Sequence, residues 1–184
     1  MRTPSGNRVY GMGAEFPSAA ALYEAAKRVR DAGFKRWDVH SPFPIHGMDG
    51  AMGLGKSWLS AFVLAGGITG LLTAVTLEFG PSWFIYPLVV HGKPVDWRTV
   101  PAFFPIMFEL TVLFSAFTAF FAMLIMNGLP RWYHPIFNWR RFSRATNDGF
   151  FLIIEARDPR FTEVEARELL EQGGGTHVTV IHED

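Results

Sequence analysis

The chain has 184 residues with 17 basic and 17 acidic side chains. That size accommodates one ordinary domain or a small domain plus membrane segments. It contains no cysteine, which excludes thiolate-held iron–sulfur clusters, cysteine-rich zinc sites, disulfides and the CxxCH attachment of c-type haem.

From the N-terminus, "NRVYGMGAEF" has the character of a short strand. "PSAAALYEAAKRVRDAG" follows as a helix: Ser18 stands at the cap, Leu22, Ala25, Ala26 and Val29 recur at helical spacing, and Gly33 closes it. "FKRWDVHSP" reads as a second strand. Residues 1–50 are therefore expected to form a β-α-β half-domain.

Composition then changes abruptly. Between Trp58 and Met126 only Glu78, Lys93, Asp96, Arg98 and Glu109 are formally charged. "WLSAFVLAGGITGLLTAVTL", residues 58–77, is 20 residues without a charge, and "FFPIMFELTVLFSAFTAFFAMLIM", residues 103–126, is 24 residues with one. At about 1.5 Å per residue, both reach across the roughly 30 Å hydrocarbon core of a bilayer. A cleaved signal peptide is not expected, because 57 residues precede the first run. Neither run contains a histidine, so a b-type haem bridged between the two is excluded and any redox centre is assigned to a partner.

Orientation follows from the basic residues. The loop from Glu78 to Pro101 holds only Lys93 and Arg98, whereas eight Lys and Arg precede the spans and seven follow them. Both termini are expected on the cytoplasmic side. Lys56 and Trp58 at the first entry, and Arg131 and Trp132 after the second span, are read as topological anchors, with Tyr133 beside them. Trp83, Tyr86 and Trp97 supply the opposite aromatic belt.

After the spans, "DGFFLIIEA" is a strongly apolar strand. "RFTEVEARELLEQGGG" is a helix with Thr162 as cap, Glu165 completing a capping box, and a glycine stop; "THVTVIHED" alternates as a last strand. Residues 135–184 thus form a second β-α-β half, and 51–134 hold the entry turn, the two spans and the loop between them. Neither half is large enough to bury a core alone. The expected fold is an α+β membrane protein: a split ferredoxin-like βαβ/βαβ cytoplasmic domain with an inserted two-helix transmembrane hairpin.

"GAMGLGKS", Gly50 to Ser57, fits the phosphate-loop pattern GxxxxGKS/T. A working phosphate loop joins a buried strand to a helix on the same sheet. Here Pro42 and Pro44 in the preceding "SPFPIHGMD" rule out a central strand, and the following helix is a membrane span. The segment is read as a glycine-rich entry turn, and a nucleotide partner is disfavoured.

Three blocks, "SPFPIHGMDGAMGLGKS", "NGLPRWYHPIFN" and "SRATNDGFFLIIEA", resemble the motifs of the D subunit of alternative complex III (ActD), a bacterial membrane complex that oxidises quinol and passes electrons to periplasmic acceptors. The resemblance runs from the first strand to the last helix. Gly55 is a departure, since the family segment lacks the full set of phosphate-loop glycines. The resemblance implies a cofactor-free accessory subunit of the bacterial cytoplasmic membrane, serving a respiratory or photosynthetic chain. It also implies partners that carry the chemistry: a multihaem cytochrome c with c-type haems, a periplasmic protein with iron–sulfur clusters, and polytopic quinol-binding subunits. The chain's own enzyme role is left undecided, with no catalytic, cofactor or metal residue assigned.

Three features stand out singly. Glu109 lies inside the second span, where an ionisable group is costly unless neutral, paired or hydrated; it is a candidate for intramembrane proton movement or partner contact. Gly66 and Gly70 form a GxxxG face for close helix packing, against the second span or a partner helix. Arg131, Arg140, Arg141 and Arg144 lie among aromatics just outside the second span and are read as an anchor to anionic membrane lipid rather than a nucleic-acid interface. His46 and His134 stand too isolated to be metal ligands. The competing reading is a membrane-tethered ferredoxin-like sensor or regulatory domain.

Overall fold

The computed structural model describes residues 8–183 apart from 88 and 90. It is a mixed α/β structure in two units. One takes the chain up to Gly55 and from Trp132 onward, and the other is Lys56–Arg131.

The first unit is built on a four-stranded antiparallel sheet in the order β2-β3-β1-β4. Its strands are β1 (Val9–Phe16), β2 (Trp37–His40), β3 (Phe150–Glu155) and β4 (Thr176–His182). The strands of the two sequence halves alternate: β3 lies between β1 and β2, and β1 between β3 and β4. Neither half can therefore make a sheet by itself. Backbone pairing across the insertion, from Gly11 opposite Glu155 to Phe16 opposite Phe150, joins them into one unit.

Helix α1 (Ala19–Asp31) begins where Ser18 accepts a bond from the Ala21 N–H, and Gly33 just beyond it has a φ of +83°, open to glycine without strain. Helix α5 (Glu163–Gln172) begins at Thr162, which accepts from the Glu165 N–H. Only this half of the expected capping box forms. Leu22, Ala25, Ala26 and Val29 of α1 pack with Ala166 and Leu170 of α5 over Met12, Ala14, Phe16, Leu152 and Ile154. Arginines finish the helices reciprocally. Arg28 on α1 donates to the Gln172 carbonyl at the end of α5, and Arg160 donates to the Ala32 carbonyl at the end of α1.

The sheet is buried on its other face as well, so all eight residues of β1 are buried. The cover is a run of 3-10 turns, Pro135–Asn138 and Arg140–Thr146, that places Ile136, Trp139 and Phe142 on Phe151, Ile153 and Ile181. Trp139 meets Phe151 edge to face with centroids 5.1 Å apart. Gly13 makes room, since a Cβ there would lie 2.6 Å from the Trp139 ring.

The Gly47–Gly53 stretch differs from the expected entry turn. It contains a short helix α2 (Met48–Met52), with Met48 and Ala51 buried and Gly53 closing it at φ +72°. Two apolar anchors, buried in the core under α1, fold the segment despite its glycines.

The second unit is a helical hairpin, α3 (Leu59–Gly80) and α4 (Val100–Met126). Both are long and apolar enough to cross a membrane, with few of their residues buried. A soluble core helix would bury most of its apolar surface; these leave Leu64, Leu72, Phe104, Phe108 and Phe120 exposed. Each runs a few residues beyond its apolar segment: α3 continues through Glu78, and α4 starts at Val100 with Pro101 in its first turn, a position that needs no N–H donor.

Candidate functional site

The hairpin is closed by small residues. Gly67, Gly70 and Ala74 of α3 are buried. A Cβ at Gly66 would come 2.7 Å from Thr118 Cβ, one at Gly67 would come 2.7 Å from Ser115 Oγ, and one at Gly70 would fall on the Leu110 carbonyl oxygen and 2.9 Å from Phe114 Cβ. The GxxxG face of α3 therefore lies against α4, and backbone approaches backbone where a side chain would hold the helices apart. Further along, Ala74, Phe79 and Met107 pack together, with Phe79 edge-on to Phe103 at 5.1 Å.

Three threonine hydroxyls of α3 are satisfied within the helix. Thr69, Thr73 and Thr76 each donate 2.8 Å to the carbonyl four residues earlier. The acidic groups are not. Glu109 is exposed on α4 and takes part in no hydrogen bond or ion pair among the described residues. Both carboxyl oxygens of Glu78, which the sequence marked only as a charge, are closed off from solvent without a hydrogen-bond partner among the described residues. At the ends of the hairpin unit, Lys56 and Arg131 are exposed, as is Trp58, which stands at the N-cap of α3. Trp132, the first residue of the sheet unit's second segment, is 97% exposed.

The four arginines of the juxtamembrane cluster separate into two kinds. Arg131 and Arg140 are exposed. Arg141 and Arg144 instead converge on Glu15, which is 7% exposed on the face of β1 opposite the helices. Arg141 meets Oε2 through Nε at 2.8 Å and Nη2 at 2.7 Å, and Arg144 meets Oε1 through Nη1 at 2.7 Å. Arg144 turns its other two nitrogens to Asp148, at 3.0 and 2.7 Å, and this bonding holds the Asp148 carboxyl below the usual range. Arg141 and Arg144, read from the sequence as lipid anchors, thus have a further role: they pair with a buried carboxylate that would be costly to leave alone. The sequence signal was present, as a Glu inside an otherwise apolar strand, but its partners lie 126 and 129 residues away.

His134 joins a second cluster. Its Nδ1 accepts from the Ile136 N–H, its Nε2 lies 3.2 Å from Tyr10 Oη, and Tyr10 donates to Glu155 at 3.4 Å. These three contacts are compatible when Nε2 carries the imidazole proton. Just beyond the same end of β3, Asp158 accepts the backbone N–H groups of Lys35, Arg36 and Arg160 at 2.6, 2.7 and 2.9 Å. Burial pushes its carboxyl upward, but the three N–H donors and the Arg36 charge outweigh that and hold it below the ordinary value.

The "SPFP" block lines an open groove of about 790 Å³ with His40, Phe137, Phe142 and Thr146. Desolvation lowers the His40 pKa, against a smaller opposing effect from Asp38, and its ring stands edge-on to Phe142 at 4.9 Å. Among the described residues lining this groove, His40 is the one titratable side chain. In "GAMGLGKS", Gly50 lies inside α2, and the preceding strand β2 ends at His40, well before the segment. Among the described residues, no group of three His, Asp or Glu is placed to hold a metal ion.

A family model described as "Alternative complex III, ActD subunit" matches residues 10–180, nearly the whole chain. Among curated proteins, no match to the chain is found.

Proposed function

Because the chain belongs to the ActD family of alternative complex III subunits, we propose that it is a cofactor-free accessory subunit of a quinol-oxidising complex that delivers electrons to periplasmic acceptors. In this reading, the hairpin lies in the bacterial cytoplasmic membrane with both termini cytoplasmic, and the alternating sheet order β2-β3-β1-β4 is that of a split ferredoxin-like domain. Electron transfer belongs to partners: a multihaem cytochrome c, an iron–sulfur protein and polytopic quinol-binding subunits. Lys56, Trp58, Arg131 and Trp132 are the interfacial anchors.

The observation that carries this reading is the family match over both halves of the sheet unit and the hairpin between them. The hairpin is suited to such a role. Its interhelical seam is tight, while its outward faces are apolar and uncovered. Purification of the tagged chain in mild detergent tests the proposal. Co-migration with haem-bearing and iron–sulfur subunits is expected, as is loss of assembled complex when the chain is deleted, with turnover per assembled complex retained. A haem-free homo-oligomer would overturn it in favour of a tethered sensor.

A further inference from the structure

We infer that the face of α4 bearing Glu109 is the seat of a transmembrane helix from another subunit, one presenting a basic or amide hydrogen-bond donor at the depth of Glu109. The inference rests on the chain's being a subunit of a membrane complex. Three observations carry it. First, Glu109 points away from the hairpin's own seam. Leu110, Thr111, Phe114, Ser115 and Thr118 are the α4 residues that meet the glycines of α3. At about 100° per residue, Glu109 lies roughly 160° around the helix from Thr111. It is exposed there, without an ion pair or hydrogen bond among the described residues.

Second, Glu109 lies well inside the span. It is nine positions on from Val100, the start of α4, which at about 1.5 Å per residue is roughly 13 Å of helix. Third, Pro105 lies inside α4, one turn earlier on the same face. It cannot supply the N–H that the Pro101 carbonyl would take in an unbroken helix. The Glu109 carboxyl itself lies within the apolar segment, where a polar group needs a partner within protein. Pro105, Glu109, Val112 and Ala116 form one exposed stripe, and the small Ala116 lets a neighbouring backbone come close.

The chemistry selects the occupant. Lipid chains offer no donor. A second copy seated on the same face would bring a carboxyl that must share a proton with Glu109, not a basic or amide donor. A helix carrying a Lys, Arg, His, Asn or Gln satisfies the site.

The test uses the intact complex. A photo-crosslinking residue at Val112 or Ala116 is compared with one at Leu72 on α3, and the linked peptides are identified by mass spectrometry. In parallel, Glu109→Leu and Glu109→Gln are scored for retention of the chain as detergent is raised. The expected product at Val112 or Ala116 is a membrane-spanning peptide of another subunit with a donor side chain within one turn of the crosslink. Glu109→Leu should reduce retention roughly three- to thirty-fold, the range of interhelical hydrogen bonds in membranes, and Glu109→Gln should keep most of it. The isolated Glu109→Leu chain should keep wild-type helicity and melting, because Glu109 does not face α3. Crosslinks confined to lipid or to a second copy, a linked peptide without a donor, or Glu109→Leu retained like wild type would each overturn the inference. Failure of the wild-type chain to co-purify with any subunit would instead remove the reading it rests on, and the inference with it.

Discussion

Substituting the hairpin glycines by alanine should produce a graded effect whose order comes from what each new methyl would meet. At Gly70 the obstacle is backbone: the Leu110 carbonyl, with its carbon at 2.9 Å, and Phe114 Cβ, also at 2.9 Å. Neither can rotate away, so the helices must part locally by about 0.5–1 Å. A gap of that size forfeits a quarter to a half of each dispersion contact, and with tens of contacts at about 0.1–0.2 kcal/mol the loss is roughly 2–3 kcal/mol. At Gly67 the first obstacle is the Ser115 hydroxyl, which can turn, and the next atom is 3.7 Å away. Gly66→Ala, blocked by Thr118 Cβ at 2.7 Å and the Phe114 carbonyl at 3.1 Å, should fall between them. Gly80 is the control within the same helix, with nothing inside 4 Å, and Gly80→Ala should be neutral or slightly stabilising. Because the chain has no cysteine, spin labels can be placed on both helices without removing native thiols. Pulsed-dipolar distances would report the separation, and unfolding in mixed detergent the free energy. Equal effects for Gly70→Ala and Gly80→Ala would refute the close-packed seam.

Replacing Arg141 and Arg144 together by glutamine should destabilise the sheet unit more than Glu15→Gln does. The double change strands a buried carboxylate at Glu15, at a cost of about 3 kcal/mol, whereas Glu15→Gln removes the buried charge and leaves two arginines that can turn to solvent; thermal unfolding, with amide exchange across 140–146, reads the difference. Asp158→Asn should cost about 2–4 kcal/mol, because an amide cannot accept all three of the backbone N–H groups that converge there. The pH dependence has a defined sign. The Asp158 carboxyl is held below its ordinary 3.8, so its contribution is complete above that value and is lost as pH falls through its own lowered pKa. The acid limb of a stability curve should therefore be shallower in Asp158→Asn than in wild type, and an unchanged limb would count against this network.

Local patterning was enough to locate the regular elements. Ser18 and Thr162 announce helix starts because the cap is a bond between neighbours three residues apart, Ala21 and Glu165. The two spans are legible because 20 or more residues of apolar composition admit few other environments. Gly66 and Gly70 were legible as a packing face, but two partners were open to them. The choice of α4 depends on how side chains of two helices interdigitate, which no spacing within one helix encodes. Glu109 was visible as a charge in a span, while its direction away from the seam became known only once that seam was placed.

The same limit explains what was misread. The segment from Pro135 to Thr146 has no period of 2 or 3.6, and its arginines and aromatics look alike along the chain. Its role as the second cover of the sheet follows from Trp139 and Phe142 finding Phe151, and from Arg141 and Arg144 finding Glu15 across more than 120 residues. Likewise Met48 and Ala51 turn a glycine-rich stretch into a helix because the core under α1 has room for them. By itself, the sequence determined the two apolar spans, the helix caps and the β-α-β order of each half, all properties of residues a few positions apart. Which strand lies beside which, which arginines pair with a buried carboxylate and which face of each long apolar helix stays uncovered were decided by tertiary structure, because long-range contacts are selected by shape and charge complementarity in three dimensions.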